Sequence, residues 1–179
     1  MDFRESPEEQ MVRETVGKIA GRFGHSYYVE KARTGGKTTE LWDAVAEGGF
    51  IGINLPESHG GGGMGLAGLA IVCEELAAAG CPLLLLVVSP AIAGTVIARF
   101  GTPDQQDRWL PGIASGQAKF SFAITEPEAG SNSHKLATVA RKDGDGYRIS
   151  GTKHFISGVD EADQILVVAK TGTDDRGRG

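Results

Sequence analysis

Phe120-Ser121-Phe122-Ala123-Ile124-Thr125-Glu126-Pro127-Glu128-Ala129-Gly130-Ser131-Asn132 decides how the rest of this chain is read. Bulky apolar residues at 120, 122 and 124 alternate with smaller ones, the period-two pattern of a strand. The run breaks at Pro127 into a short polar turn that contains Gly130. Ser131 and Asn132 close the turn and offer backbone N–H groups and short polar side chains to an anion. A strand that ends in such donors can hold a ring system by its edge and a phosphate by its charge.

The surrounding composition narrows the choices. The chain has 179 residues, 40 % of them hydrophobic, enough for one sizeable core or two small ones. Net charge is −5 and the basic residues are scattered, which disfavours nucleic acid as a partner. Cys73 and Cys81 form no CxxC pair and have no histidine pair beside them, so a structural metal site is not expected and two buried thiols suit a reducing cytosol. Met1 to Glu5 lacks the apolar core of a signal peptide. From Cys81 to Ala98 no residue is charged, which touches the lower limit for a membrane span. Pro82, Ser89, Pro90, Gly94 and Thr95 interrupt it and aromatic anchors are missing. It reads as a buried helix pair or a Pro-bent helix, and no membrane span is expected.

Upstream of the strand the periodicity is helical. Ser6-Pro7-Glu8-Glu9 is a capping box with proline at the first helical position. Val12, Val16, Ile19 and Phe23 follow at helical spacing, predicting a helix over about residues 7–24. Thr34 to Lys37 reads as loop, and Thr39 to Ala46 as a second helix stopped by Gly48-Gly49. Phe50 to Pro56 reads as extended, and Gly60 to Gly63 as a flexible connector. No Lys-Ser/Thr follows those glycines, so a P-loop is excluded. Leu66 to Ala79 is helical again. Its Glu74 and Glu75 point about 100° apart and cannot both serve one site, so one faces solvent or a neighbouring helix. Gly101-Thr102-Pro103 starts another helix through Trp109 and Leu110, which Pro111 should end within a few residues.

Downstream the period changes. Thr138 to Lys142 and Tyr147 to Ser150 flank Asp143-Gly144-Asp145-Gly146, a hairpin turn rich in residues that tolerate positive φ. Gly151 to Gly158 reads as a further short strand and Ile165 to Ala169 as a buried one. The Thr171 to Gly179 end is polar and glycine-rich. This shift puts a domain boundary near 115–119. His154 beside Lys153 reads as a surface pair. His25, His59 and His134 lie in loops or at helix ends and read as solvated.

The residues together resemble the acyl-CoA dehydrogenases, a family of flavin enzymes. Met1-Asp2-Phe3 with Glu8-Glu9-Gln10 is similar to the family's first helix, Leu55-Pro56-Glu57 with Gly60-Gly61 to its proline-glycine loop, and Glu74-Glu75-Leu76 to its third helix. Gly101-Thr102-Pro103 through Trp109-Leu110-Pro111 and Gly116 resembles the approach to the flavin domain. Thr125-Glu126-Pro127-Glu128-Ala129-Gly130-Ser131 followed by Gly151-Thr152-Lys153 is the most specific match. The implied fold class is α+β: an all-α N-terminal domain over 1–116, then a partial antiparallel, β-barrel-like flavin domain over 117–179. The family's C-terminal helical bundle lies outside these 179 residues. A homotetramer, or a heteromer in which another chain completes the enzyme, is the implied assembly, and the cytoplasm the implied location.

The resemblance also implies roles. Phe122, Ile124 and Thr125 would lie along the isoalloxazine edge of FAD, with Thr125 at its pyrimidine side, and Gly130 would form the turn beside it. Ser131 would touch the FAD pyrophosphate region and the thioester arm of an acyl-CoA substrate. Phe155, Ile156 and Ser157 would form the second wall, with Ser157 near N5. Two departures stand out. Asn132 replaces the usual aspartate, and Phe155 and Ser157 replace tryptophan and threonine, which costs an indole donor and a rotamer-restraining methyl. The implied reaction, in fatty acid metabolism, is α,β-dehydrogenation of an acyl-CoA to a trans-2-enoyl-CoA, with electrons passed to an electron-transfer flavoprotein. The family's base is a glutamate of the C-terminal bundle, so no catalytic residue is assigned here. A non-catalytic flavin- or CoA-binding subunit and an acyl-CoA oxidase-like flavoenzyme stay open as alternatives.

Overall fold

The computed structural model describes residues 4–172. Met1 to Phe3, part of the match to the family's first helix, and the glycine-rich end from Thr173 lie outside the described residues. Helix α1 (Pro7–Gly21) starts as its sequence dictates. Ser6 Oγ accepts from the Glu9 amide at 3.1 Å, and Glu9 Oε2 accepts from the Ser6 amide at 2.8 Å. The helix stops short of 24, because Gly24 takes φ +71 and turns the chain into α2 (Gly24–Thr34). No periodicity in the sequence marks that second helix. It buries no residue fully: Tyr27 and Tyr28 pack half-buried against the core, and polar contacts tie it to α3 (Thr39–Glu47). Tyr27 Oη donates to Glu40 at 2.8 Å and Lys31 Nζ to the same carboxylate at 2.7 Å.

Residues 50–56 are a knot of turns and not an extended segment. Ile51, Ile53 and Leu55 plug into the core while the glycine run folds back over them. The Gly62, Gly63 and Met64 amides donate to the carbonyls of Gly52, Leu55 and Ile53. The connector is therefore pinned by hydrogen bonds. At Gly61 a Cβ would fall 2.2 Å from the Leu55 carbonyl oxygen, so only glycine fits that approach.

Helix α4 (Gly65–Ala78) packs on α1, and both acidic neighbours reach the same partner. Arg13 Nη2 donates to Glu74 at 2.9 Å and Nη1 to Glu75 at 2.6 Å, and Glu5 completes the cluster. A guanidinium has two arms, so carboxylates diverging along a helix can still share it.

The uncharged run forms one helical passage: α5 (Leu84–Leu86), a π-helical segment (Val87–Gly94) and α6 (Thr95–Phe100). Pro90 has no N–H to give to a preceding carbonyl, and the wider turn absorbs that defect. Helix α7 (Pro103–Ala114) opens with a second reciprocal capping box, Thr102 with Gln105. It continues through Pro111 to Ala114 because a proline in the last turn forfeits one bond only. No helix among the described residues is long and apolar enough to cross a membrane.

Among the described residues four strands follow: β1 (Phe120–Ala123), β2 (Val139–Asp143), β3 (Gly146–Ser150) and β4 (Gln164–Val167). The hairpin β2–β3 is antiparallel, as expected, with Gly144 at φ +61 in its turn. β1 and β4 pair in parallel, Phe120 opposite Gln164. The segment 151–158 is not a strand. Gly151, Phe155 and Gly158 all take positive φ, which breaks the extended run. The helical part and β1 share a core: Leu55, Ala93, Ile97, Leu110, Ile113 and Phe120 form one buried cluster. Trp42 Nε1 donates to the Gly116 carbonyl at 2.9 Å across the same junction.

Candidate functional site

β1 delivers its C-terminal end to a place where two later segments converge. Its first amide, on Phe120, donates to the buried hydroxyl of Ser89 at 3.0 Å, which anchors the strand on the π-helical segment. Ser121 Oγ donates to the Ser157 carbonyl at 3.2 Å. Past the strand, the Thr125 carbonyl accepts from the His154 amide at 3.0 Å. Residues 121–126 and 153–157 thus run side by side as two walls. The helices close on the second wall at Gly158, where a Cβ would fall 2.5 Å from Leu85 Cδ2.

Phe155 is the outlier of this region. It takes φ +56, making it the one non-glycine residue at positive φ among the described residues, and its ring is 90 % exposed. Left-handed backbone costs a phenylalanine roughly 1–3 kcal/mol, and an exposed ring recovers none of it by burial. The neighbouring loop contacts hold it there. Strain of this kind, held in place by its surroundings, clusters at active sites and ligand clamps.

Around it the polar groups are available. Among the described residues no protein group pairs with the hydroxyls of Thr125, Ser131 or Ser157. Phe122, Ile124, Thr125 and Ile156 are half-buried, and Ser157 is exposed. Gly130 and Ser131 sit on the exposed turn after Ala129, whose amide and carbonyl pair reciprocally with those of Glu126. No hydrogen bond or ion pair ties that turn to 155–157 among the described residues. The segments at 122–125 and 155–157 are therefore brought together, while Gly130 and Ser131 lie on an exposed turn with no hydrogen bond to them. An apolar face with an exposed aromatic ring, edge-on to the His154 ring at 5.8 Å, and unpaired hydroxyls at its border suits a flat heteroaromatic ring with polar edges, so this donor set fits a flavin.

Two residues here carry more than their sequence positions suggest. Lys153, expected at the surface, is only 11 % exposed along its side chain, and Glu126 is 4 % exposed. Lys153 Nζ donates to Glu126 Oε1 at 2.9 Å and to the Ile124 carbonyl at 3.0 Å. Glu126 also accepts the amides of Ala137 at 2.5 Å and Thr138 at 3.0 Å. Burial opposes ionisation of Glu126, but the Ala137 amide, Thr138 and the Lys153 ammonium outweigh it and hold its pKa down at about 2. The one signal in the sequence is positional: an acidic residue at the foot of a buried strand requires a partner. His59 also differs from expectation, since its Nε2 lies 3.2 Å from Asp107 Oδ1 on α7. No cluster of metal-binding side chains occurs among the described residues.

Comparison with known proteins gives the same frame. Residues 6–117 match the family description "Acyl-CoA dehydrogenase, N-terminal domain" and residues 121–179 match "Acyl-CoA dehydrogenase, middle domain". The acyl-CoA dehydrogenase FadE12 of Mycobacterium tuberculosis is 56 % identical over 175 residues, covering 95 % of this chain and 45 % of that protein. Butyryl-CoA dehydrogenase from Megasphaera elsdenii superposes with a TM-score of 0.86 at 27 % identity, covering 99 % of this chain and 47 % of that one. An FAD complex of PigA gives 0.86 at 26 % identity, with 96 % and 46 % covered. The chain spans a little under half the length of these relatives.

Proposed function

The chain belongs to the acyl-CoA dehydrogenase family, and from that premise we propose that it supplies the helical part (1–116) and the beginning of the flavin-binding β-domain (117–179) of an FAD-dependent acyl-CoA dehydrogenase. The observation that carries this reading is Phe155, held exposed and left-handed beside Thr125. Phe122, Ile124 and Thr125 would form one wall for FAD and Phe155, Ile156 and Ser157 the other. Gly130 and Ser131 would face its phosphates, with Ser131 also toward the acyl-CoA. When bound, the flavin supplies the oxidising equivalents for α,β-dehydrogenation of the thioester.

The residues in hand do the positioning. The half-buried apolar side chains exclude water from one face of the site, and the unpaired hydroxyls of Thr125 and Ser157 orient polar ring edges. None of the residues described is assigned as the base that removes the substrate's α-proton. An electron-transfer flavoprotein as acceptor, a tetrameric or heteromeric assembly and a cytoplasmic location complete the proposal.

The full polypeptide carrying these residues is expected to purify yellow and to bleach when an acyl-CoA is added without air. A colourless protein, indifferent to acyl-CoA of every chain length, would sink the reading. Hydrogen peroxide release in air at the rate of substrate turnover would move it to an oxidase.

A further inference from the structure

Glu126 gathers three separate stretches of chain. Its own segment follows β1, its carboxylate receives the amides of Ala137 and Thr138 at the approach to β2, and it meets Lys153 from the loop that follows β3. Lys153 in turn reaches back past Glu126 to the Ile124 carbonyl. The next residue along that loop, His154, gives its amide to the Thr125 carbonyl, and Phe155 follows at once. The ion pair therefore sits just behind both walls: Glu126 one residue after Thr125, and Lys153 two residues before Phe155.

We infer that Glu126 and Lys153 are positioning residues for cofactor binding, a buried clamp that sets the spacing and register of the 122–125 and 155–157 walls. This rests on the flavin reading of those walls. A buried ion pair contributes little net stability, because desolvation of both charges offsets their attraction. What it provides is geometry: a carboxylate with four acceptor sites and an ammonium with three donors can fix three backbone segments at once. Neither side chain lies on the exposed face that carries Phe155, so the pair acts through Thr125, His154 and Phe155 and does not touch the ligand. Gly151 supports the same arrangement. Its backbone lies so close to Thr138 that a Cβ would fall 2.7 Å from the Thr138 Cα, which brings the loop within reach of Glu126.

The full polypeptide is compared with its K153M, K153R and E126Q variants by titration with FAD, by the visible flavin spectrum and by amide hydrogen exchange in the flavin-free state. K153M and E126Q are expected to raise the FAD dissociation constant about tenfold or more and to shift the flavin band, with part of the loss recovered in K153R, which keeps a cation. In the flavin-free proteins the His154 amide should exchange about tenfold faster while amides in α1 are unchanged. Variants that merely lose thermal stability, keeping parental FAD affinity, flavin band and His154 exchange, overturn the inference. It is overturned equally if K153M does not fold and both K153R and E126Q behave as the parent. A parent that takes up no flavin overturns the proposed function instead, and the His154 exchange rates still decide whether the clamp exists.

Discussion

Ser89 Oγ accepts the Phe120 amide hydrogen at 3.0 Å, joining the π-helical segment to the first residue of β1. Both groups are buried, so the strand's first amide has no access to water. Replacing Ser89 with alanine leaves that N–H without a partner, at a cost of about 1–3 kcal/mol. The melting temperature of S89A should fall by roughly 3–10 °C, as read by circular dichroism. An unchanged melting temperature would show that the strand is positioned by its neighbours alone.

Glu126 makes stability depend on acid. Its pKa is held at about 2 in the folded protein against an ordinary 4.5, so the unfolded chain binds the extra proton. The contribution is therefore complete above about pH 4.5 and is lost as pH falls through about 2. Denaturant titrations between about pH 6 and pH 3 should give a shallower pH slope in E126Q than in the parent. The slope that remains comes from Glu40 and Glu5, whose carboxyls are also lowered, by hydrogen bonds from Lys31 and Arg13 respectively. Parallel slopes in the two proteins would mean that the Glu126 pKa is the same in the folded and unfolded states.

Gly151 leaves no room for a side chain. An added Cβ would lie 2.3 Å from Thr138 Oγ1 and 2.7 Å from Thr138 Cα, at φ +157. G151A should be destabilised by about 2–3 kcal/mol in chemical denaturation. T138A in the same chain removes the hydroxyl clash and leaves the backbone one, so the double variant should recover only part of the loss. Full recovery would locate the whole conflict in the Thr138 side chain.

Local chemistry made much of this fold readable. The Ser6 capping box, the helix start at Gly101-Thr102-Pro103, the Asp143–Gly146 turn and the strand at Phe120 each rest on contacts among a few adjacent residues, and each formed where expected. Features set by distant partners were not readable. Helix α2 buries no residue fully and is tied to Glu40 from α3 through Tyr27 and Lys31. The turns at 50–56 exist because the glycine run returns to donate its amides to their carbonyls. Lys153 resembles a surface residue in the sequence because its partner lies 27 positions upstream. For the candidate site, the family resemblance named the segments at 122–125 and 155–157, while their side-by-side run, the ion pair beside them and the backbone strain at Phe155 emerge only in the folded chain.

Phe155 offers a test in which stability and function move in opposite directions. Its ring is 90 % exposed, so removing it forfeits little burial, and its φ of +56 is unfavourable for any residue with a bulky side chain. Asparagine tolerates the left-handed region and adds none of glycine's freedom to the unfolded state. F155N should therefore be more stable than the parent by up to about 1 kcal/mol, a rise in melting temperature of roughly 2–4 °C. The same substitution strips the aromatic surface from the second wall, and FAD affinity should fall about tenfold or more. If the ring instead served the fold, F155N would melt lower and bind flavin as before. A stabilised protein with weakened flavin binding means that the chain keeps a strained residue for its ligand.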